Sequence, residues 1–101
     1  MASLADLTLV DAATFVRDGE ATSRDLLDAC WDRMEEVNPT LNATIWTDRE
    51  GAEAAATAAD ASRNVNEWSG PLHGVPLAHK DMYYQAGKLS TCGSRLRKDF
   101  R

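Results

Sequence analysis

The chain has 101 residues, 44% hydrophobic and 27% charged, a globular rather than disordered composition with room for one small domain or part of a larger one. Its net charge of -5 leaves no basic stripe for nucleic acid; the nearest feature, Arg95, Arg97, Lys98 and Arg101, reads as a solvated face. Two cysteines far apart, Cys30 and Cys92, make neither a disulfide framework nor a zinc pattern.

The first predicted helix covers about residues 8–18. Thr8 can cap it, Asp11 sits near the positive end of its dipole, and Leu9, Ala12, Ala13 and Val16 share one face. Gly19 is a natural stop. A second helix spans about 23–38. Thr22 or Ser23 caps it and Asp25 lies in its first turn. Leu26, Leu27, Cys30, Met34 and Val37 form its apolar face, with Asp28, Asp32, Arg33 and Glu36 mostly opposite. Asn38-Pro39 is the expected end, because proline disfavours helix in the residue before it.

Ala43 to Trp46 reads as a short strand, about 43–46, with β-branched and aromatic residues together. Thr47 is the expected cap of a third helix, about 48–63, with Glu50 completing a capping box. Seven alanines, Ala52, Ala54, Ala55, Ala56, Ala58, Ala59 and Ala61, favour that helix and let it lie close to a neighbour. Arg63 to Ser69 is turn-like, with Trp68 as a surface anchor. A second strand is expected at about 75–80, with Val75, Leu77 and His79 on one face and Ala78 and Lys80 on the other. Asp81 to Lys88 is a loop, and Ser90 to Ser94 a small polar turn near a site. Two strands cannot make a two-faced sheet, so either this α/β fold is unusually small or further chain completes the sheet.

Lys80 ends an apolar run and is followed at once by Asp81. An ammonium stripped of water there is a base in waiting, whereas a lysine that snorkels to solvent and pairs with an acid is ordinary. His73, His79, Asp81 and Cys92 are the residue types for a metal, but they lack short ligand spacing. A phosphate loop around Gly70 to Gly74 would lack both glycine-rich fingerprints.

The run Gly70-Pro-Leu-His-Gly-Val-Pro-Leu-Ala-His-Lys-Asp-Met82, followed by Thr91-Cys-Gly-Ser94, resembles the amidase signature family. The likeness extends to Asp25-Leu26-Leu27, to Asn38-Pro39-x-Leu41-Asn42-Ala43 and to the alanine-rich helix ending in Ala58-Ala59-Asp60. That resemblance implies an α/β/α sandwich around a mixed sheet, of which residues 1–101 are an N-terminal piece. It implies amide hydrolysis by a Ser–cis-Ser–Lys triad with Lys80 as the lysine and no metal or organic cofactor. The glycine- and serine-rich stretch that holds both serines is not in these residues; Ser90 and Ser94 lack its context and are not taken as the nucleophile. The segment alone is therefore expected to be inactive, and a truncated or interaction-only chain is the rival reading. Expected partners are a small-molecule amide and either a second copy or the other subunits of a tRNA-dependent amidotransferase, with no direct nucleic-acid contact. No apolar run reaches membrane-spanning length and Met1 to Asp6 lacks a signal-peptide pattern, so a cytoplasmic location is the default.

Overall fold

Local capping chemistry sets where each helix begins. In the computed structural model, which describes residues 3–81, 83, 86–88 and 99, a 3-10 turn at Leu4–Asp6 leads into three helices. Helix α1, Leu9–Asp18, starts where the Thr8 hydroxyl accepts the Asp11 N–H at 3.1 Å. It stops at Gly19, whose φ of 77° is a left-handed cap that glycine adopts without strain. Helix α2, Ser23–Leu41, carries a reciprocal capping box between Thr22 and Asp25. Helix α3, Arg49–Asn64, begins at Asp48, which accepts the Gly51 N–H at 2.9 Å.

Two expected boundaries move. Helix α2 does not end at Pro39 but runs through it to Leu41, closing on Asn42 in the left-handed region at φ 51°. A proline in the last turn forfeits one hydrogen bond, and the Asn42 N–H still reaches the Asn38 carbonyl at 2.6 Å. The cap of α3 is Asp48 rather than Thr47, because a carboxylate one residue later meets the same orphan N–H groups with a full charge. Among the described residues, 43–46 and 75–80 form no strand pairing; a ladder needs a partner strand, and none is present there. The polar turn at Ser90 to Ser94, Cys92 and the Arg95 to Arg101 basic cluster lie outside the described residues.

The core is small. Ala12, Val16 and Leu26 form its centre, with Leu4, Leu7 and Val75 packed against it. Val16 and Leu26 are each 1% exposed, and burying a side chain of that size contributes about 1.5–3 kcal/mol. Leu27 and Ala56 are also buried, whereas Cys30, Met34 and Val37 are only half-buried along the same face of α2. Burial raises the Cys30 thiol pKa, against a smaller opposing effect of Arg33.

Polar contacts fix how the helices meet. Arg24 and Arg49 close a ring with Asp28 and Glu53 across α2 and α3, with N···O distances of 3.2, 3.2, 2.8 and 2.6 Å. Asp28 thus pairs with Arg49 of α3 while its side chain stays 46% exposed. All four side chains are about one-third to one-half exposed, so each pair contributes at most about 1 kcal/mol. Arg33 ties α2 to the N-terminal turn through Asp6 at 2.9 Å. Asp60 of α3 caps α2 from outside, accepting the Ser23 and Arg24 N–H groups at 2.7 and 3.1 Å. Arg63 donates to the Val16 carbonyl at 2.9 Å, at the end of α1. The C-terminal half of α3 is therefore the strut against which the other two helix ends are registered.

Candidate active site

The segment that carries Lys80 is strung alongside α3. Its upstream end is locked. The His73 ring is buried, and its Nδ1 accepts both the Ser69 N–H at 3.0 Å and the Ser69 hydroxyl at 2.9 Å. An N–H donor at Nδ1 fixes the proton on Nε2, which donates to the Ala59 carbonyl of α3 at 2.8 Å. The Trp68 ring meets the imidazole edge-on at 5.1 Å. Two consecutive turns follow, His73 N–H to Gly70 and Val75 N–H to Leu72, at 3.1 and 3.0 Å. Gly74 has φ 79°, and a Cβ there would stand 3.2 Å from both Ser23 Cβ and Val16 Cγ1. Its carbonyl accepts the Ser23 hydroxyl at 2.6 Å.

The downstream end is held at the other end of α3. Lys88 donates to Asp48 at 3.0 Å and lies 5.0 Å from the Trp46 ring centroid. Asp48 titrates below its ordinary range, first because of the Gly51 N–H and then because of Lys88. Residues 43–48 are fixed in turn by Asn38, whose side chain donates to the Thr44 carbonyl and accepts the Thr44 N–H at 3.0 and 2.7 Å.

Between these fixings lies a cleft of about 490 Å³. Its walls are Trp31 and Met34 of α2, residues 43–48, Ala52 of α3, and residues 77–81 with Tyr83 and Lys88. Lys80 lines it and is exposed, so the described residues do not strip its ammonium of water. Asp81 is half-buried beside it, and His79 turns to Tyr83, ring centroids 6.4 Å apart.

The four metal-type residues do not gather. His73 has both ring nitrogens engaged near the middle of α3, while His79 and Asp81 stand at the cleft and Cys92 lies outside the described residues. Among the described residues no group of three or more His, Cys, Asp or Glu side chains could hold a metal ion. The Ser69–His73 pair is not a nucleophile and base either. Its Nδ1 is shared between the Ser69 hydroxyl and the Ser69 backbone N–H, and its Nε2 is held by a backbone carbonyl, the arrangement of a structural lock.

Trp46, Asp48 and Lys88 were invisible as site residues, since Lys88 lies 40 positions from Asp48. Asp48 showed only as a helix-start residue, and Trp46 as part of a strand.

The model of the family described as Amidase matches residues 25–101, a span that includes both the His73 lock and Lys80. The chain belongs to this amidase family. Among curated relatives, it is 44% identical over 94 residues to the A subunit of the glutamyl-tRNA(Gln) amidotransferase of Halorhodospira halophila, covering 93% of this chain and 19% of that protein. It is 52% identical over 81 residues to the protein of the same name in Azoarcus sp., covering 80% of this chain and 16% of the relative. The protein of that name in Roseiflexus sp. is 41% identical over 100 residues, 99% of this chain and 20% of the relative. The chain thus spans about a fifth of the length of these curated relatives. No solved structure matches it. Among the described residues, no helix is long and apolar enough to cross a membrane.

Proposed function

We propose that these residues are the first part of a longer amidase-family enzyme that breaks a carbon–nitrogen amide bond, with Lys80 as its general base. The observation that carries this reading is the family match over residues 25–101, which includes Lys80 in its Lys-Asp pair. Its position on a cleft wall, with aromatic side chains opposite, supports the same reading.

The chemistry follows from the residue types. A neutral Lys80 amine takes a proton, relayed through a bridging serine, from a nucleophilic serine further along the chain. The serine oxygen bonds to the amide carbon, and backbone N–H groups beside it hold the oxyanion. The protonated lysine returns the proton to the leaving nitrogen as the C–N bond breaks. Water then releases the acyl group from the serine. The completed protein would form an α/β/α sandwich, with 43–46 and 75–80 paired to strands that the rest of the chain supplies. It would work in the cytoplasm without a cofactor.

The relatives' names favour one role within the family, the amide-cleaving subunit of a tRNA-dependent amidotransferase. In that role glutamine is the amide, and partner subunits receive the ammonia. The test is ammonia release from glutamine and from simple amides by the full enzyme, with and without those partners. Lys80→Ala should lower turnover by about 100- to 10,000-fold with the fold intact. Turnover that survives the change would remove Lys80 from the mechanism.

A further inference from the structure

We infer that Trp46 is a substrate-contacting residue: its indole receives the acyl group of the amide and favours amides whose acyl group has an apolar or flat body. The inference rests on the role proposed for Lys80. Both side chains line the same cleft of about 490 Å³, a size within the roughly 300–1,000 Å³ of small-molecule pockets. The serine attacks beside Lys80 in the proposed chemistry, so the acyl group extends from there along the cleft walls. Trp46 is 51% exposed, and Met34 and Leu77 add apolar surface to the same walls.

The indole is held before any substrate arrives. Asn38 makes two bonds to Thr44, two residues upstream, at 3.0 and 2.7 Å. The Lys88 Nζ stands 5.0 Å over the Trp46 ring centroid and donates to Asp48 at 3.0 Å. A side chain that is already ordered gives up little freedom when a ligand packs on it. Lys88 and Asp48 also balance each other's charge, so this end of the cleft suits an uncharged group. The other aromatic rings on the walls are engaged differently. Arg49 lies 4.8 Å over Trp31, whose Nε1 donates to Glu35 at 3.1 Å, and Tyr83 meets His79 edge-on. Pairing of 43–46 with a further strand would use backbone groups, whereas side chains stand off the ladder. The two methylenes of glutamine, an alkyl chain and a phenyl ring can each lie against an indole, and a flat ring gains most from it.

The test uses the full enzyme with acetamide, butanamide and benzamide as probes. Trp46→Ala should lower kcat/KM least for acetamide, by less than about 3-fold, and most for benzamide, by about 10- to 100-fold, chiefly through KM. Trp46→Phe should keep most of the benzamide rate, and Trp46→Leu should lose it. An equal loss for all the amides in Trp46→Ala would overturn the inference, because it marks a residue that only holds the fold. So would benzamide turnover that survives Trp46→Ala undiminished. If Trp46→Ala does not fold, Trp46→Leu decides between the same outcomes. Fluorotryptophan labelling supplies a readout that needs no turnover. In Lys80→Ala, benzamide should shift the fluorine resonance that disappears in Trp46→Phe, and an unmoved resonance would overturn the contact. Absence of amide turnover in the unaltered enzyme would sink the proposed function, while the fluorine resonance would still decide whether Trp46 meets the amide.

Discussion

Gly74 is a residue whose missing side chain matters at two levels. Its φ of 79° is strained for any L side chain, and its missing Cβ leaves room for Ser23 and Val16. Gly74→Ala is expected to cost about 1–3 kcal/mol, read as a lowered urea midpoint of the protein that carries it. An unchanged midpoint would mean the turn can flip without disturbing α2. Asp48 gives a second residue-scale expectation, in pH. Its carboxyl titrates below the ordinary 3.8 because the ionised form accepts the Gly51 N–H and the Lys88 ammonium. A folded pKa below the unfolded one means that its stabilising contribution is fully present above about 3.8 and is lost as pH falls through the lowered value. The Gly51 amide resonance should therefore move with a midpoint below 3.8 in the unaltered protein. In Asp48→Asn it should stay flat between about pH 6 and about pH 2, because the amide cap carries no charge to lose. A Gly51 midpoint at or above 3.8 would contradict the cap geometry.

At the scale of elements, the helix starts were legible because a cap is local. Thr8 with Asp11 and Thr22 with Asp25 sit within three residues of their partners, so the sequence holds the whole interaction. The ends were harder. Pro39 read as a terminator, yet the tolerance of a last turn for one missing hydrogen bond depends on Asn42 and its left-handed backbone. The cap of α3 shifted by one residue because Thr47 and Asp48 are both good caps, and the carboxylate brings a full charge that the hydroxyl lacks. Lys80 entered the candidate site through its surrounding motif, and the structure places it on the wall of a cleft. The His73 lock was not legible, because its Ala59 partner lies 14 residues away and offers only a carbonyl, which no side-chain type announces. The same is true of Asp60, which read as the end of an alanine-rich helix. It caps α2 across 37 and 36 residues of sequence, at Ser23 and Arg24. Asp60→Ala should cost about 0.5–2 kcal/mol. The loss should appear first as faster amide exchange in the first turn of α2, ahead of any change in α1. Equal loosening of both helices would show that Asp60 holds the core rather than the cap.

At the scale of the molecule, these residues form a well-registered scaffold with little interior. The buried hydrophobic residues among those described are Ala12, Val16, Ala21, Leu26, Leu27 and Ala56, of which three are alanines. Large apolar side chains stand in water on two faces. One face is the cleft side, with Ile45 at 66% exposure, Leu77 at 63% and Trp46 at 51%. The other is a groove of about 450 Å³ between α1 and the 68–73 turns, where Leu9, Val10, Trp68 and Leu72 are exposed. The Cα radius of gyration is 15.0 Å, against about 13 Å for a compact domain of this length. Few buried contacts mean that the helices can open separately, and apolar patches on two faces invite association. Residues 1–101 on their own are therefore expected to melt broadly, with far-UV ellipticity falling over a wide temperature range. Sedimentation should show species larger than one chain whose share grows with concentration. The same sample should release no ammonia from glutamine, because no serine pair in the setting of the family's signature stretch lies within these residues. A sharp, concentration-independent melt of a monomer would show that the small core around Val16 and Leu26 suffices. Inhibitor-sensitive ammonia release would show that Lys80 finds a nucleophile within this segment.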